Sequence, residues 1–551
     1  MTGTMSAEIR QVAKDRFGWD PLRPGQLEAI EAADSGRDVL AIMPTGYGKS
    51  AIYQVTAALQ AGPTVVVSPL IALQADQVAG LEAARDAPEA VAVNSAQSKA
   101  ANERAWEEIA TDAAEFVFLA PEQLAKDDVV DRLIASDVSL FVVDEAHSVS
   151  AWGHDFRPDY LRLGDVIQRL GHPTVVALTA TGSPPVRDEI VERLGMRNPL
   201  VLTHGFDRPN LRLEVIRHET DAEKRRAVVD QVVELPRPGL VYVSTRRDAT
   251  RYAEELAGLG LRAAPYHAGL PVAERRRTHE HFLADSLDVV VATSAFGMGI
   301  DKHNVRFVVH AAITESLDAY YQEIGRSGRD GEPATATLHY RSEDLGLRTF
   351  FASGAPNHDE LAAAFDAIAA SHPLRLSELG RSLGISTRRA STLVNLLGEA
   401  RVVHTARRGV RPAAPITAEE AATRAIEAAE SRERIEHSRI AMMRSYAETL
   451  RCRRQFLLGY FGEELPQPCG NCDTCSSGSA YEMDAAGVAG DRPDAAGDEE
   501  YPPETAVRHR EWGPGVVMST EEDRITVFFE EEGYKVLSLD AIREHDLLAI
   551  E

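Results

Sequence analysis

The chain has 551 residues, 44% of them hydrophobic and 26% charged, with a formal net charge of -26. That length exceeds what a single core supports, so several domains are expected. No apolar run of about 18 residues excludes a spanning helix, and MTGTMSAEIR lacks the apolar stretch of a secretory signal, so a cytoplasmic protein without membrane contact is expected. The acidity is segregated: residues 371–412 hold eight Arg and two Glu, a local +6, whereas residues 476–505 hold eight acids and one Arg, a local -7. A basic face can therefore survive the net acidity.

Residues 1–204 alternate apolar runs with amphipathic stretches, predicting a parallel sheet covered by helices. The runs are Asp38–Met43, Thr64–Ser68, Phe116–Ala120, Leu140–Asp144 and Thr174–Thr179. MPTGYGKS (Met43–Ser50) follows the first and opens a helix. In such a loop Gly46 and Gly48 let backbone N–H groups close on phosphate oxygens. Lys49 brings an ammonium to the β- and γ-phosphates of ATP, Ser50 offers a hydroxyl to Mg²⁺, and Thr45 lines the same loop. The strict pattern has Gly where Met43 stands, and a plain Gly-rich strand–helix turn is the bland alternative.

The run ending at Val143 is followed by two carboxylates, Asp144 and Glu145. Acids at the carboxyl end of a buried parallel strand sit where open α/β sheets bind ligands. Asp144 is expected to hold Mg²⁺ and Glu145 to orient or deprotonate the attacking water. Helix capping or surface charge is the competing explanation. A loop just beyond carries Trp152, Phe156 and Arg157, side chains that stack on bases and contact phosphate; a core role for Trp152 is the alternative.

A second set of runs, Gly239–Ser244, Ala263–Tyr266, Asp288–Ser294, Arg306–His310 and Thr335–Tyr340, predicts a second α/β lobe over 205–345. GRSGRDG (Gly325–Gly331) sets Arg326 and Arg329 three residues apart, on one helical face or turn. A guanidinium from this lobe would reach ATP on the first lobe only on closure, so hydrolysis would depend on closure. A solvated basic turn is the alternative.

Residues 356–412 are expected to be helical, and SELGRSLGISTRRASTLVNLL has the pattern of a helix-turn-helix, with Gly384 at the turn and Ser386 as N-cap. VVHTARRGVRP would be a β-wing. Arg388 and Arg389 on the second helix, with Arg407, Arg408 and Arg411 on the wing, are candidate DNA contacts; a packing module with a solvated basic face is the alternative. Residues 416–477 contain long helices and all four cysteines: Cys452, Cys469, Cys472 and Cys475. Four clustered thiolates match a closed tetrahedral structural Zn²⁺ site, with an iron–sulfur cluster or unpaired thiols as alternatives. Residues 478–505 suggest an acidic flexible linker. Residues 506–551 suggest a small SH3/Tudor-like β-barrel with Trp512, Phe528 and Tyr534 in its core.

Over residues 8–345 and again 435–476, these motifs resemble the RecQ family of superfamily-2 ATP-dependent DNA helicases. FGWDPLRPGQ (Phe17–Gln26) resembles the family's adenine-reading segment, which implies Gln26 on the adenine edge, Trp19 stacked on the base and Arg23 holding the nucleotide. VVSPLIALQADQ (Val66–Gln77) resembles a strand-contacting motif, and LTATG (Leu178–Gly182) the motif that couples ATP state to lobe closure. AWGHDFRPDY resembles the aromatic-rich DNA loop, with Trp152, His154, Phe156 and Arg157 in matching places. FDRPN (Phe206–Asn210), VSTR (Val243–Arg246), YHAGL (Tyr266–Leu270), ATSAFGMGIDKHNVRFVVH (Ala292–His310) and YYQEIGRSGRDG (Tyr320–Gly331) complete the second lobe. RCRRQFLLGYFGEELPQPCGNCDTC (Arg451–Cys475) resembles the family's zinc module.

The resemblance implies two tandem RecA-like parallel-sheet lobes, with Asp301 near the nucleotide and Gln322, Arg326 and Arg329 as catalytic groups. It also implies ATP- and Mg²⁺-driven, 3′-to-5′ unwinding of duplex or branched DNA from single-stranded DNA, in repair and recombination at the nucleoid. An RNA helicase or remodeller on the same lobes, or a non-hydrolysing ATP-gated DNA clamp, stays open. The typical member carries its winged helix after the zinc module, whereas here the candidate precedes it. The tail from Ala506 resembles the small barrel ending some UvrD-type helicases, which implies a protein-docking module.

Overall fold

The computed structural model describes residues 2–69, 71–82, 89–94, 97–111, 113–150, 157–296, 302–344, 357–406, 409–483, 501–502, 505–520, 524–529, 532–545 and 547–550. Uninterrupted β-branched and aliphatic runs form its central strands. VLAI, TVVV, FVFL and LFVV are buried at every position, as strands covered by helices on both faces must be.

The first lobe contains β1 (Val39–Ile42), β2 (Thr64–Val67), β3 (Ala90–Val93), β4 (Phe116–Leu119), β5 (Leu140–Val143), β6 (Thr174–Thr179) and β7 (Leu200–Thr203). Their order is β3-β4-β2-β5-β6-β1-β7, with every pairing parallel. β6 lies between β5 and β1, so the carboxyl ends of all three are neighbours. That places Met43–Ser50, Asp144–Glu145 and Leu178–Gly182 along one edge of the sheet.

The second lobe contains β8 (Leu211–Arg217), β9 (Gly239–Tyr242), β10 (Ala263–Tyr266), β11 (Val289–Ala292), β12 (Phe307–His310) and β13 (Ala334–Tyr340). Their order is β10-β11-β9-β12-β13-β8, again all parallel. Three strands, β3, β7 and β8, are absent from the sequence-based expectation. Each is an edge strand with partly exposed positions: AVAV and LVLT are short apolar runs, and LRLEVIR is broken by charged residues.

Beyond the lobes, helices Leu376–Leu383 and Thr387–Glu399 meet at Gly384 in the left-handed region (φ 67°). Ser386 Oγ caps the second by accepting from Arg389 N at 3.1 Å. The wing is the antiparallel pair β14 (Val403–Ala406) and β15 (Gly409–Pro412). Leu361, Phe365, Leu393 and Leu397 share one core with Ala421, Ala422 and Ala425 of the 31-residue helix Ala418–Glu448. The wing also meets the first lobe, where an Arg162 guanidinium N–H donates to the Thr405 carbonyl.

The C-terminal module holds β16 (Ala506–His509), β17 (Gly513–Thr520), β18 (Arg524–Phe529), β19 (Gly533–Ser538) and β20 (Leu548–Ile550), in the antiparallel order β19-β18-β17-β16-β20. The expected small barrel is present as a five-stranded antiparallel sheet that does not close: among the described residues β19 and β20 do not pair. The helix Leu539–His545 follows β19 and buries Leu539 and Ile542 in the module's core with Val507, Ile525 and Phe529. It supplies the apolar cover that strand closure would otherwise provide. Of the expected linker, residues 484–500 and 503–504 lie outside the described residues, while 479–483 are helical. Among the described residues no helix is long and apolar enough to cross a membrane.

Candidate active site and metal centre

The loop after β1 turns at Gly46 (φ 79°) and Gly48 (φ 85°), a backbone region costly for residues bearing a Cβ. Lys49 precedes the helix Ser50–Leu59, whose N-terminus, the positive end of its dipole, lies at the loop. Thr45, Lys49 and Ser50 are half-buried. Lys49 Nζ donates to the carbonyls of Met43 (2.9 Å) and Pro44 (3.4 Å). Burial lowers the pKa of its ammonium, Glu145 and Asp144 raise it, and Arg329 lowers it further. Lys49 thus shares one electrostatic pocket with both acids and with an arginine of the second lobe.

Asp144 is buried at the end of β5. Its carboxyl is pushed up to about 7, first by burial and then by Glu145; Lys49 and the Glu145 N–H, 3.0 Å from Oδ1, pull the other way. Glu145 adopts a left-handed backbone (φ 49°), which turns the chain sharply off the strand. His147 Nδ1 lies 3.4 Å from Glu145 Oε2 and 3.0 Å from Thr179 Oγ1. Burial, with the Lys49 and Arg157 charges, pushes the imidazole down to about 3, so it is neutral near pH 7. One neutral histidine therefore joins the acidic pair to the Leu178–Gly182 segment.

The segment before the first lobe's sheet closes over the same loop. Gln26 Nε2 donates to the carbonyls of Gly48 (2.9 Å) and Tyr47 (3.2 Å), while its Oε1 accepts from Arg23 N at 2.7 Å. Arg23 Nη1 donates to the Gly46 carbonyl at 2.6 Å, with its guanidinium carbon 5.6 Å from the Tyr47 ring centroid. Trp19 stacks on Phe17 with centroids 4.8 Å apart and packs against the first lobe's core. One of its faces is therefore taken by the protein.

From the second lobe, the helix Leu317–Ile324 carries Gln322 and runs into the turn holding Arg326 and Arg329. The two arginines differ. Arg329 crosses to the first lobe: a Cβ built on Gly46 would lie 3.1 Å from its Cδ and 3.4 Å from its Nε. Arg326 is buried within its own lobe and hydrogen bonds to the Tyr242 hydroxyl. The turn is tied down by FDRPN, a motif given no role from sequence. Arg208 Nη2 donates to the carbonyls of Ser327 and Gly328, both at 2.9 Å, and Asn210 Nδ2 donates to Gly328 O at 2.8 Å. Its signal was an Arg and an Asn beside a proline, but the carbonyls they hold lie over a hundred residues away.

Trp152, His154, Phe156 and Asp301 lie outside the described residues, as do Arg407 and Arg408. Arg157 is half-buried and its Nη1 donates to the Pro69 carbonyl at 3.2 Å. Arg388 is exposed, whereas Arg389 is held by Glu360 at 2.6 Å.

The four cysteines converge, with their sulfurs within 4.8 Å of one another. Cys469 N donates to Cys452 Sγ at 3.2 Å and Asn471 N to Cys469 Sγ at 3.3 Å. Hydrogen bonds from Cys452 and Cys469 pull the Cys472 thiol well down. A donor set of four converging sulfurs, two of them accepting backbone N–H hydrogen bonds, fits a structural zinc ion. The cluster also anchors the second lobe: Leu213 bridges to Cys472, and Asp473 Oδ2 accepts from Val215 N at 3.1 Å. Arg453 Nε lies 2.5 Å from Asp473 Oδ1, and Arg454 Nη2 donates to Leu211 O at 2.5 Å. Both arginines are buried structural posts.

Family models match in the same order along the chain: DEAD/DEAH box helicase at residues 23–189, helicase conserved C-terminal domain at 223–331, RecQ zinc-binding at 416–476, and a protein of unknown function (DUF3553) at 505–544. The probable ATP-dependent DNA helicase RecS of Bacillus subtilis (strain 168) is 38% identical over 346 residues, spanning 62% of this chain and 68% of that protein. The ATP-dependent DNA helicase RecQ of Pasteurella multocida (strain Pm70) is 34% identical over 460 residues, spanning 83% of this chain but only 61% of its own length. Among solved structures, the DUF1998 helicase MrfA bound to DNA superposes with a TM-score of 0.52 at 15% identity, over 75% of this chain and 63% of that one. At that identity the likeness concerns the fold.

Proposed function

Because the chain belongs to the RecQ family of superfamily-2 ATP-dependent DNA helicases, we propose that it hydrolyses ATP between its two lobes and thereby moves 3′ to 5′ along single-stranded DNA, unwinding duplex or branched DNA in repair and recombination. The carrying observation is that Arg329 of the second lobe lies against Gly46 of the first and within electrostatic reach of Lys49. Two cations from opposite lobes converging on an anion-binding loop suit a triphosphate whose terminal charge grows during cleavage.

In this reading the loop N–H groups and Lys49 cradle the phosphates, Gln26 and Arg23 hold the base end, and Trp19 offers its outer face to the base. Glu145 orients water for in-line attack and accepts its proton as the bond to the β–γ bridging oxygen breaks. Ser50 and Asp144 are the groups available to Mg²⁺, which when bound neutralises phosphate charge. Neutral His147 passes the state of Glu145 to Thr179. Gln322 and Arg326 position the Arg329 turn, and Asp301 serves the nucleotide from the second lobe.

Each base-pair step separated costs about 1.4 kcal/mol, and one aromatic stacked on a base returns about 1–3 kcal/mol. The loop with Trp152, His154, Phe156 and Arg157 can therefore offset melting locally, while net travel needs the ATP cycle. Arg388 serves duplex contact by the winged helix. Nucleoid association follows from the DNA substrate, and a protein partner would meet the outward face of the C-terminal sheet.

The test is strand displacement on forked, 3′-tailed and 5′-tailed duplexes. Forked and 3′-tailed substrates should be unwound, 5′-tailed duplex should not, and Lys49→Ala should abolish displacement. Displacement by the Lys49→Ala variant at the wild-type rate, or none by wild type on any substrate, would reject the proposal.

A further inference from the structure

We propose that the C-terminal module is an internal brace on the helicase core, and that Tyr534 is a positioning residue that holds the Leu178–Gly182 segment in register with the arginine-bearing helix of the other lobe. The inference rests on the reading above only for its kinetic consequence.

Three observations carry it. First, Ser183 occupies the N-cap of the helix Pro184–Leu194, immediately after LTATG, yet its side chain makes no capping bond. A serine there ordinarily accepts from a backbone N–H of the first turn. Here it is hydrogen bonded instead to Tyr534 of β19, with Oη 2.8 Å from Ser183 Oγ. Second, Tyr534 stands between Ser183 and Tyr460 in a buried row of polar groups that joins both lobes, the zinc module and the C-terminal module. Its ring packs on that of Tyr460 in the zinc module, with centroids 5.4 Å apart. The Tyr460 hydroxyl in turn donates to Asp318 at 2.5 Å, on the first turn of the helix that leads to Arg326 and Arg329. The Tyr534 hydroxyl donates to Ser183 Oγ and the Tyr460 hydroxyl donates to Asp318, so the two packed tyrosines link the first lobe to the second.

Third, the module's apolar residues divide into two sets. Val507, Val517, Ile525 and Phe529 belong to its own core. Met518, Phe528 and Tyr534 belong instead to the continuous core shared by both lobes and the zinc module. A module built only for an outside partner has no need to bury that second set inside its own chain. A parallel link reinforces the first: Arg187 Nε donates to Gly182 O at 2.8 Å and its Nη2 to Phe461 O at 2.6 Å, and Phe461 stacks on Phe206 with centroids 4.5 Å apart.

Because the lobes are held with Arg329 at the phosphate loop, the brace favours the arrangement competent for hydrolysis. Losing one buried neutral hydrogen bond of this kind changes an equilibrium by about two- to tenfold. The test uses the full chain with Tyr534→Phe, Ser183→Ala and the double substitution. Amide hydrogen exchange is followed in Leu178–Arg187 and Leu317–Ile324, beside single-stranded-DNA-stimulated ATPase. Each single variant should exchange about two- to tenfold faster in both segments, lower kcat by a similar factor and leave KM for ATP unchanged. The double variant should be no worse than either single, because both remove one interaction.

Unchanged exchange in both single variants, or a double variant whose effect is the product of the two, overturns the brace. A wild-type chain that hydrolyses no ATP overturns the functional reading instead, and the exchange comparison then still decides the brace.

Discussion

Gly46→Ala separates two roles that one glycine plays, and the structure sizes each. The position has φ 79°, where a residue with a Cβ costs about 1–2 kcal/mol. That strain lies within the first lobe, is present whether the lobes are open or closed, and should appear as a lower Tm. The second effect crosses the crevice. The new methyl would sit 3.1 Å from Arg329 Cδ, so the arginine must move by a few tenths of an ångström, off its rotamer, for about 0.5–1.5 kcal/mol. Only the closed arrangement contains this contact, so it should reduce kcat by about two- to tenfold.

The assay is DNA-stimulated ATP hydrolysis at saturating DNA, in two backgrounds. Arg329→Ala alone should lower kcat by about 10³-fold or more, the scale of a removed arginine finger. Adding Gly46→Ala to Arg329→Ala should reproduce the loss of Tm but cause no further fall in kcat, because the methyl then has nothing to strike. An equal fall in kcat from Gly46→Ala in both backgrounds would refute the claim that Arg329 occupies the phosphate loop.

Three further outcomes are expected. Cys472→Ser, or strong chelation, should release one zinc per chain by metal analysis and unfold the segment around Arg451–Cys475. Zinc binding in such modules is worth about 10–16 kcal/mol, and thermal melts with and without added zinc measure the effect. His339, buried beside His218 and bonded to Gln231 Oε1 at 2.8 Å, is pushed down to about 3 by burial. A lowered histidine pKa leaves stability complete above the unfolded value near 6.5 and erodes it as pH falls toward the folded value. His339 should therefore cost about 2 kcal/mol at pH 5 relative to pH 7.5, and urea melts of wild type and His339→Gln should differ in that pH slope. Arg389→Ala should leave duplex affinity nearly unchanged, since its guanidinium is engaged by Glu360 in a partly exposed pair worth roughly 0–1 kcal/mol. Arg388→Ala should instead weaken binding and shallow the salt dependence by about one charge, as read by fluorescence anisotropy at several salt concentrations.

Much of the site was legible because its chemistry is local. Gly46, Gly48 and Lys49 must be contiguous to wrap a phosphate, Asp144 and Glu145 must end a buried strand, and four thiols must cluster to hold one ion. Each constraint writes a short pattern into the chain, and the central strands do the same through unbroken apolar runs. The edge strands β3, β7 and β8 give a weaker signal, because AVAV and LVLT are short and partly exposed and LRLEVIR is broken by charge, as suits strands with one side open. Arg326 and Arg329 are equivalent in the sequence, three residues apart in one turn. The fold of the second lobe buries one beside Tyr242, and its packing against the first lobe sets the other at Gly46. Likewise Ser183 reads as an ordinary N-cap and Tyr534 as a core aromatic of a separate tail. Nothing local relates two residues 351 positions apart. Their hydrogen bond exists because the apolar face of β18 and β19 is buried against the zinc module and both lobes, a long-range burial decided only by the folded chain.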